Sequence, residues 1–132
     1  SYRTKAKNVI AAARMLVEKH GGEVPLNRTD LQALPGVGRK TASVVLNELG
    51  IEPAIAVDTH VFRVSHRLGL ANAATPDKVE VQLHQVVPEA WLPKAHHWLI
   101  LHGRYTCLAQ RPKCPGCVIS DLCPSRASFM GV

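Results

Sequence analysis

Aromatic residues are scarce in this chain, at 5% of 132 residues. That scarcity argues against a single-strand binder that stacks successive bases on aromatic platforms. Long apolar runs are missing as well, and no segment approaches the run of about 18 residues that a membrane span requires. The start, Ser1-Tyr2-Arg3-Thr4-Lys5, has neither the apolar core of a secretory signal nor an initiator methionine, which reads as a processed or incomplete beginning. No stretch alternates with period two between hairpin signals, so strands are not expected. Internal repeats and low-complexity segments are absent, and no cysteine precedes Cys107.

What is present is balanced. The composition is 46% hydrophobic and 20% charged, with a mean hydropathy of zero, as in an ordinary globular protein. The length suits one domain that buries a core without disulfide staples. Sixteen Lys and Arg against ten Asp and Glu leave a net charge of +6. Such a surface favours a polyanionic partner, a duplex backbone before a single strand, although a basic protein with no such role has the same arithmetic.

The four cysteines, Cys107, Cys114, Cys117 and Cys123, form a C-x6-C-x2-C-x5-C array. Their clustering reads as one local site. Two disulfides fit the even count but not the missing secretory signal. Structural zinc usually shows two close ligand pairs, whereas only Cys114 and Cys117 are close here. An iron-sulfur cube accepts four thiolates from a compact loop, so spacing places it modestly ahead of zinc.

Hydrophobic periodicity predicts helices almost throughout, hence an all-α architecture. The first covers about Lys5 to His20, with Val9, Ala12, Ala13, Leu16 and Val17 on its apolar face. A short second helix runs from about Asn27, its N-cap, to Leu34. A third starts near Arg39 with Ala42, Val45, Leu46 and Leu49 inward and Lys40, Ser43 and Asn47 opposite. Asp58 caps a fourth, about Thr59 to Leu68, whose His60, Arg63 and Arg67 share one face. Thr75-Pro76 opens a fifth and Pro93 a sixth, which runs through Trp98, Leu99 and Tyr105 into Cys107. Trp98 and Tyr105 are expected to pack as core around the cysteine loop.

Between the second and third helices lies Leu34-Pro35-Gly36-Val37-Gly38-Arg39-Lys40. Glycines at alternate positions permit a tight turn and close approach of a ligand, and the following helix start offers free N–H groups to a phosphate, with Arg39 adding charge. The same residues also suit a plain interhelical turn. A lysine in the first turn of a helix, such as Lys40, sits at the positive end of the dipole, which disfavours its charged form and suits a nucleophilic amine. A solvated phosphate-binding lysine is the plainer alternative. Asp58 is likewise either a cap or a catalytic carboxylate, roles that need not exclude each other. His96 and His97 are adjacent and point roughly 100° apart on a helix, so they do not make a ligand pair. Arg111 and Lys113 lie inside the loop between Cys107 and Cys114, where a metal centre would hold them as a phosphate clamp.

Together, these runs resemble the endonuclease III family of helix-hairpin-helix DNA glycosylases. The matching stretches are Leu34-Pro35-Gly36-Val37-Gly38-Arg39-Lys40-Thr41-Ala42, Ala56-Val57-Asp58-Thr59-His60-Val61-Phe62-Arg63-Val64, His96 through Cys107, and the cysteine array, in the same order and spacing. The resemblance implies part of a helical barrel lobe over residues 1–57, with the helix-hairpin-helix at about 27–49, and a lobe with the iron-sulfur loop over 58–132. It implies base excision repair by a bifunctional enzyme that removes oxidised pyrimidines from duplex DNA and cleaves the strand at the abasic site. Lys40 would be the nucleophile and Asp58 its acidic partner. Gly36, Val37, Gly38, Arg39, His60, Arg63, Arg111 and Lys113 would contact DNA, and the four cysteines would hold a 4Fe-4S cluster. A monomer in the bacterial cytoplasm, at the nucleoid and without membrane attachment, is expected. Adenine-specific relatives share the hairpin, the acid and the cluster but typically lack the lysine; a non-catalytic helix-hairpin-helix module is the other alternative. The family chain is longer by several helices before the position matching Ser1, so exposed apolar surface, poor stability and weak activity are expected if these 132 residues are the whole polypeptide.

Overall fold

A computed structural model of the chain describes Ser1–Gly131, and no strand occurs among those residues. Two compact units meet between Glu52 and Pro53. That division precedes the boundary expected after Val57, because Ile55 and Val57 pack into the core of the second unit.

The first unit holds α1 (Tyr2–His20), α2 (Arg28–Ala33) and α3 (Arg39–Glu48). The Ser1 hydroxyl accepts from the Thr4 N–H, so α1 starts at Tyr2 rather than near Lys5. Asn27 caps α2 as its sequence position implies, its side-chain oxygen 2.8 Å from the Asp30 nitrogen. Leu31, Leu34, Ala42 and Leu46 form a small core on which Ala12, Met15 and Leu16 of α1 rest. The apolar stripe read from α1 is thus only half used: Val9 and Val17 stay 68% and 69% exposed. On α3 the covered arc is wider than its apolar stripe. Ser43, expected on the polar side, is fully buried, while Leu49 is exposed.

The second unit contains α4 (Thr59–Arg67), α5 (Pro76–Val86), α6 (Leu92–Tyr105) and a short α7 (Arg126–Met130), the last without a clear sequence signal. An extended, wholly buried segment, Ala54-Ile55-Ala56-Val57, leads into α4. Ile55 and Val57 join Val61, Val64, Val79, Leu83, Leu92 and Leu99 in one core. The helices α4 and α6 pack closely at Gly103, where a Cβ would stand 2.9 Å from Val64 Cγ2 and 3.0 Å from the His60 Cβ. Trp98 and Tyr105 do not pack around the cysteine loop: with Leu101 they form an exposed stripe on α6, preceded by the exposed Trp91, because Leu99 and Gly103 face α4 instead. Among the described residues, no helix is long and apolar enough to cross a membrane.

Candidate active site and cysteine loop

The hairpin of the first unit is built by its two glycines in different ways. Gly36 adopts φ +82, a conformation that side chains rarely take, and a Cβ there would stand 3.0 Å from the Asn8 Cβ. Gly38 has φ −95 and caps α3 without a side chain, and a Cβ would meet nothing within 4 Å. Gly36 therefore shapes the turn, and Gly38 leaves open space before the free N–H groups of α3. Val37 packs its side chain on the first core, which leaves its backbone as the part available to a partner. Lys40 follows in the first turn of α3 and is solvent-exposed. Beneath it, the Arg28 guanidinium donates to the Arg39 carbonyl at 3.3 Å and to Glu52 Oε1 at 3.0 Å, tying the start of α2 to the start of α3.

In the second unit Asp58 ends the buried extended segment and caps α4, with Oδ1 accepting from the Val61 N–H at 2.8 Å. The carboxylate is therefore held in one place by the helix start, in a half-buried setting. His60 and Arg63 lie side by side on α4. Arg63 donates to the Gly103 carbonyl at 2.7 Å and the Cys107 carbonyl at 3.1 Å, and its Nη2 lies 3.1 Å from His60 Nδ1. Those bonds make Arg63 a brace between α4 and the end of α6, with His60 turned toward it.

All four cysteines are unpaired and half-buried, and they line one concavity with Arg67 and His102. Arg67 Nη1 lies 3.3 Å from Cys107 Sγ, and His102 Nε2 lies 3.7 Å from Cys117 Sγ. Burial pushes the pKa of His102 down, favouring its neutral form. Among the described residues, no three His, Cys, Asp or Glu side chains converge tightly enough to hold a single metal ion. The loop between Cys107 and Cys114 is closed by the Lys113 N–H donating to the Thr106 carbonyl at 2.9 Å. Arg111 takes φ +54 at its turn, and both basic side chains are exposed.

A model of the HhH-GPD superfamily base excision DNA repair proteins matches residues 1–89, which include the hairpin, Lys40 and Asp58. The chain belongs to that superfamily. Among its HhH-GPD relatives, endonuclease III of Escherichia coli K12 is 55% identical over 122 residues, covering 92% of this chain and 58% of that protein. The Haemophilus influenzae endonuclease III is 56% identical over the same shares. The chain thus spans 58% of the length of these relatives. An endonuclease III trapped as a covalent intermediate with DNA superposes with TM-score 0.91 at 46% identity, covering 98% of this chain and 61% of that one. A thermostable thymine-DNA glycosylase superposes with TM-score 0.80 at 27% identity, covering 93% of this chain and 58% of that one.

The motifs that carry the HhH-GPD match were readable in the sequence; several residues that support them were not. Arg28, Arg67, His102 and Gly103 have no short-range signature, because their partners lie far along the chain or on a neighbouring helix. The one available hint was the (i, i+4) spacing of Arg63 and Arg67, which places them together on α4 without saying what they meet.

Proposed function

We propose that this chain carries bifunctional base excision chemistry on duplex DNA: removal of an oxidised pyrimidine followed by cleavage at the abasic site. The observation that carries this reading is Lys40, exposed at the start of α3 behind an open glycine hairpin. It gains support from the likeness over 98% of the chain to an endonuclease III caught covalently on DNA. A duplex phosphate would sit against the N–H groups after Gly38, with Arg39 adding charge. The damaged nucleotide must leave the stack for its C1′ to be reached.

The lone pair of the neutral Lys40 Nζ attacks C1′, and the bond from C1′ to the base breaks with its electrons on the base, which departs with a proton. Opening of the sugar ring leaves an iminium joining Nζ to C1′, and the ring oxygen takes up a proton. Loss of a C2′ proton then expels the phosphate on the 3′ side by β-elimination, and water releases the lysine. Asp58, held by the Val61 N–H, supplies the carboxylate that stabilises positive charge on the sugar. Arg111 and Lys113 hold phosphates as a clamp at the cysteine loop.

The cysteine array fits a 4Fe-4S cluster in its donor chemistry: four unpaired thiols face one concavity with cationic and imidazole donors beside them. Structural zinc usually draws on two close ligand pairs, whereas in this array only Cys114 and Cys117 are close in sequence. The cluster would brace the basic loop and take no part in bond cleavage. Its holder would act as a monomer in the cytoplasm, at the nucleoid.

Borohydride trapping on a duplex carrying an abasic site tests the reading. Wild type should form a covalent adduct, and Lys40→Ala should abolish it while duplex binding persists. No adduct from wild type would leave a monofunctional enzyme or a docking module as the answer.

A further inference from the structure

Arg67 is the last residue of α4, and it reaches both outer ends of the cysteine array. Its Nη1 donates to the Leu108 carbonyl at 2.6 Å and stands 3.3 Å from Cys107 Sγ, while Nη2 donates to the Ala109 carbonyl at 3.0 Å. The carbonyl of the same residue accepts from Ser125 Oγ at 2.7 Å and from the Cys123 thiol at 3.6 Å. When Cys123 is a thiolate ligand it has no proton to give, and Ser125 keeps that carbonyl satisfied. The face of Phe129, on α7, lies 4.6 Å from the guanidinium carbon and fixes the plane of the fork.

A loop staple alone would need only the two carbonyl bonds. Here the nitrogen that pins Leu108 is also aimed at sulfur, which is the arrangement by which an outer donor tunes a thiolate ligand. We propose that Arg67 is the positioning residue of the cysteine-held group: it presets Cys107 as a ligand and, by donating to its sulfur, raises the group's affinity for an added electron. The physical cause is charge. A cluster that takes up one electron becomes one unit more negative, and a fixed cationic donor on a ligating sulfur stabilises that form over the oxidised one. Lysine retains the charge but cannot reach two carbonyls and a sulfur from one rigid fork. This proposal rests on the iron-sulfur reading of the cysteine array.

The experiment takes the full chain as wild type, Arg67→Gln, Arg67→Lys and Phe129→Leu. Iron and acid-labile sulfide are measured first, and then the one-electron midpoint potential, with an electrode supplying the electron. Arg67→Gln should disfavour the reduced form about tenfold, equivalent to about 59 mV for one electron. Arg67→Lys should recover part of that loss, and Phe129→Leu should shift the potential less and in the same direction. Equal potentials in wild type and the Arg67 variants, with iron bound in all, would overturn the proposal and leave the iron-sulfur reading standing. Wild type without iron would overturn both. Should Arg67→Gln alone lose its iron, the Lys and Phe129 variants decide by the same criterion.

Discussion

Gly36 and Gly38 stand one residue apart in a single hairpin, yet the reasons for a missing Cβ differ. At Gly36 the backbone has positive φ and α1 leaves no room at Asn8, so Gly36→Ala should lower stability by about 1–2 kcal/mol. At Gly38 the space is open and φ is ordinary, and alanine should cost only about 0.5 kcal/mol as a poorer cap. The same Gly38→Ala change should weaken duplex binding, since its methyl would occupy the approach to the free N–H groups. Denaturant midpoints and duplex titrations of the two variants separate these outcomes; equal stability losses would count against the conformational account. Asp58 permits a similar separation. Asp58→Asn keeps a side-chain acceptor for the Val61 N–H and should change stability by less than about 0.5 kcal/mol. Removing the carboxylate should lower abasic-site cleavage by about 100-fold. A large stability loss in Asp58→Asn would make the negative charge itself part of the cap.

At the scale of elements, α4 organises the second unit. Its N-terminus is set by Asp58, its buried face by Val61 and Val64, and its remaining face by bonds to the end of α6 and the loop beyond. Close approach of α6 depends on Gly103, so Gly103→Ala should overpack against Val64 and His60 and cost about 1–3 kcal/mol. Thermal unfolding of that variant, with the cysteine loop followed by thiol reactivity, should show both unit stability and loop order reduced. The helices were legible because caps and breakers act locally: Asn27, Asp58, Thr75-Pro76 and Gly21 each end or start an element through a neighbour in sequence. Which face of a helix is covered was less legible. Trp98 and Tyr105 share a face by spacing, but the periodicity carries no label for inside, and the small Gly103 draws the opposite side of α6 toward α4.

For the whole molecule, charge and exposed apolar surface are the properties that matter. The net charge of +6 includes Arg111 and Lys113, displayed on a loop closed at its base by the Lys113 N–H bond to Thr106. Arg111→Ala and Lys113→Ala should each reduce the slope of log affinity for duplex against log salt by about 0.9; an unchanged slope removes the clamp. The exposed stripe of Trp98, Leu101 and Tyr105 on α6, with Trp91 just before it, should bind a hydrophobic dye, and Trp98→Lys should diminish that signal without lowering helix content.

Sequence by itself determined the all-α class, the helix boundaries to within a few residues, the hairpin, and the residues that bear the proposed chemistry. Those features rest on local physics: propensity, capping, turn conformation and close spacing of like ligands. Only the tertiary structure decided that Arg63 braces α6, that Arg67 reaches a cysteine sulfur, and that Gly36 and Gly38 differ in purpose. Each of those outcomes depends on which surface a neighbouring element presents, and burial and long-range hydrogen bonds are properties of the packed chain that no local pattern encodes.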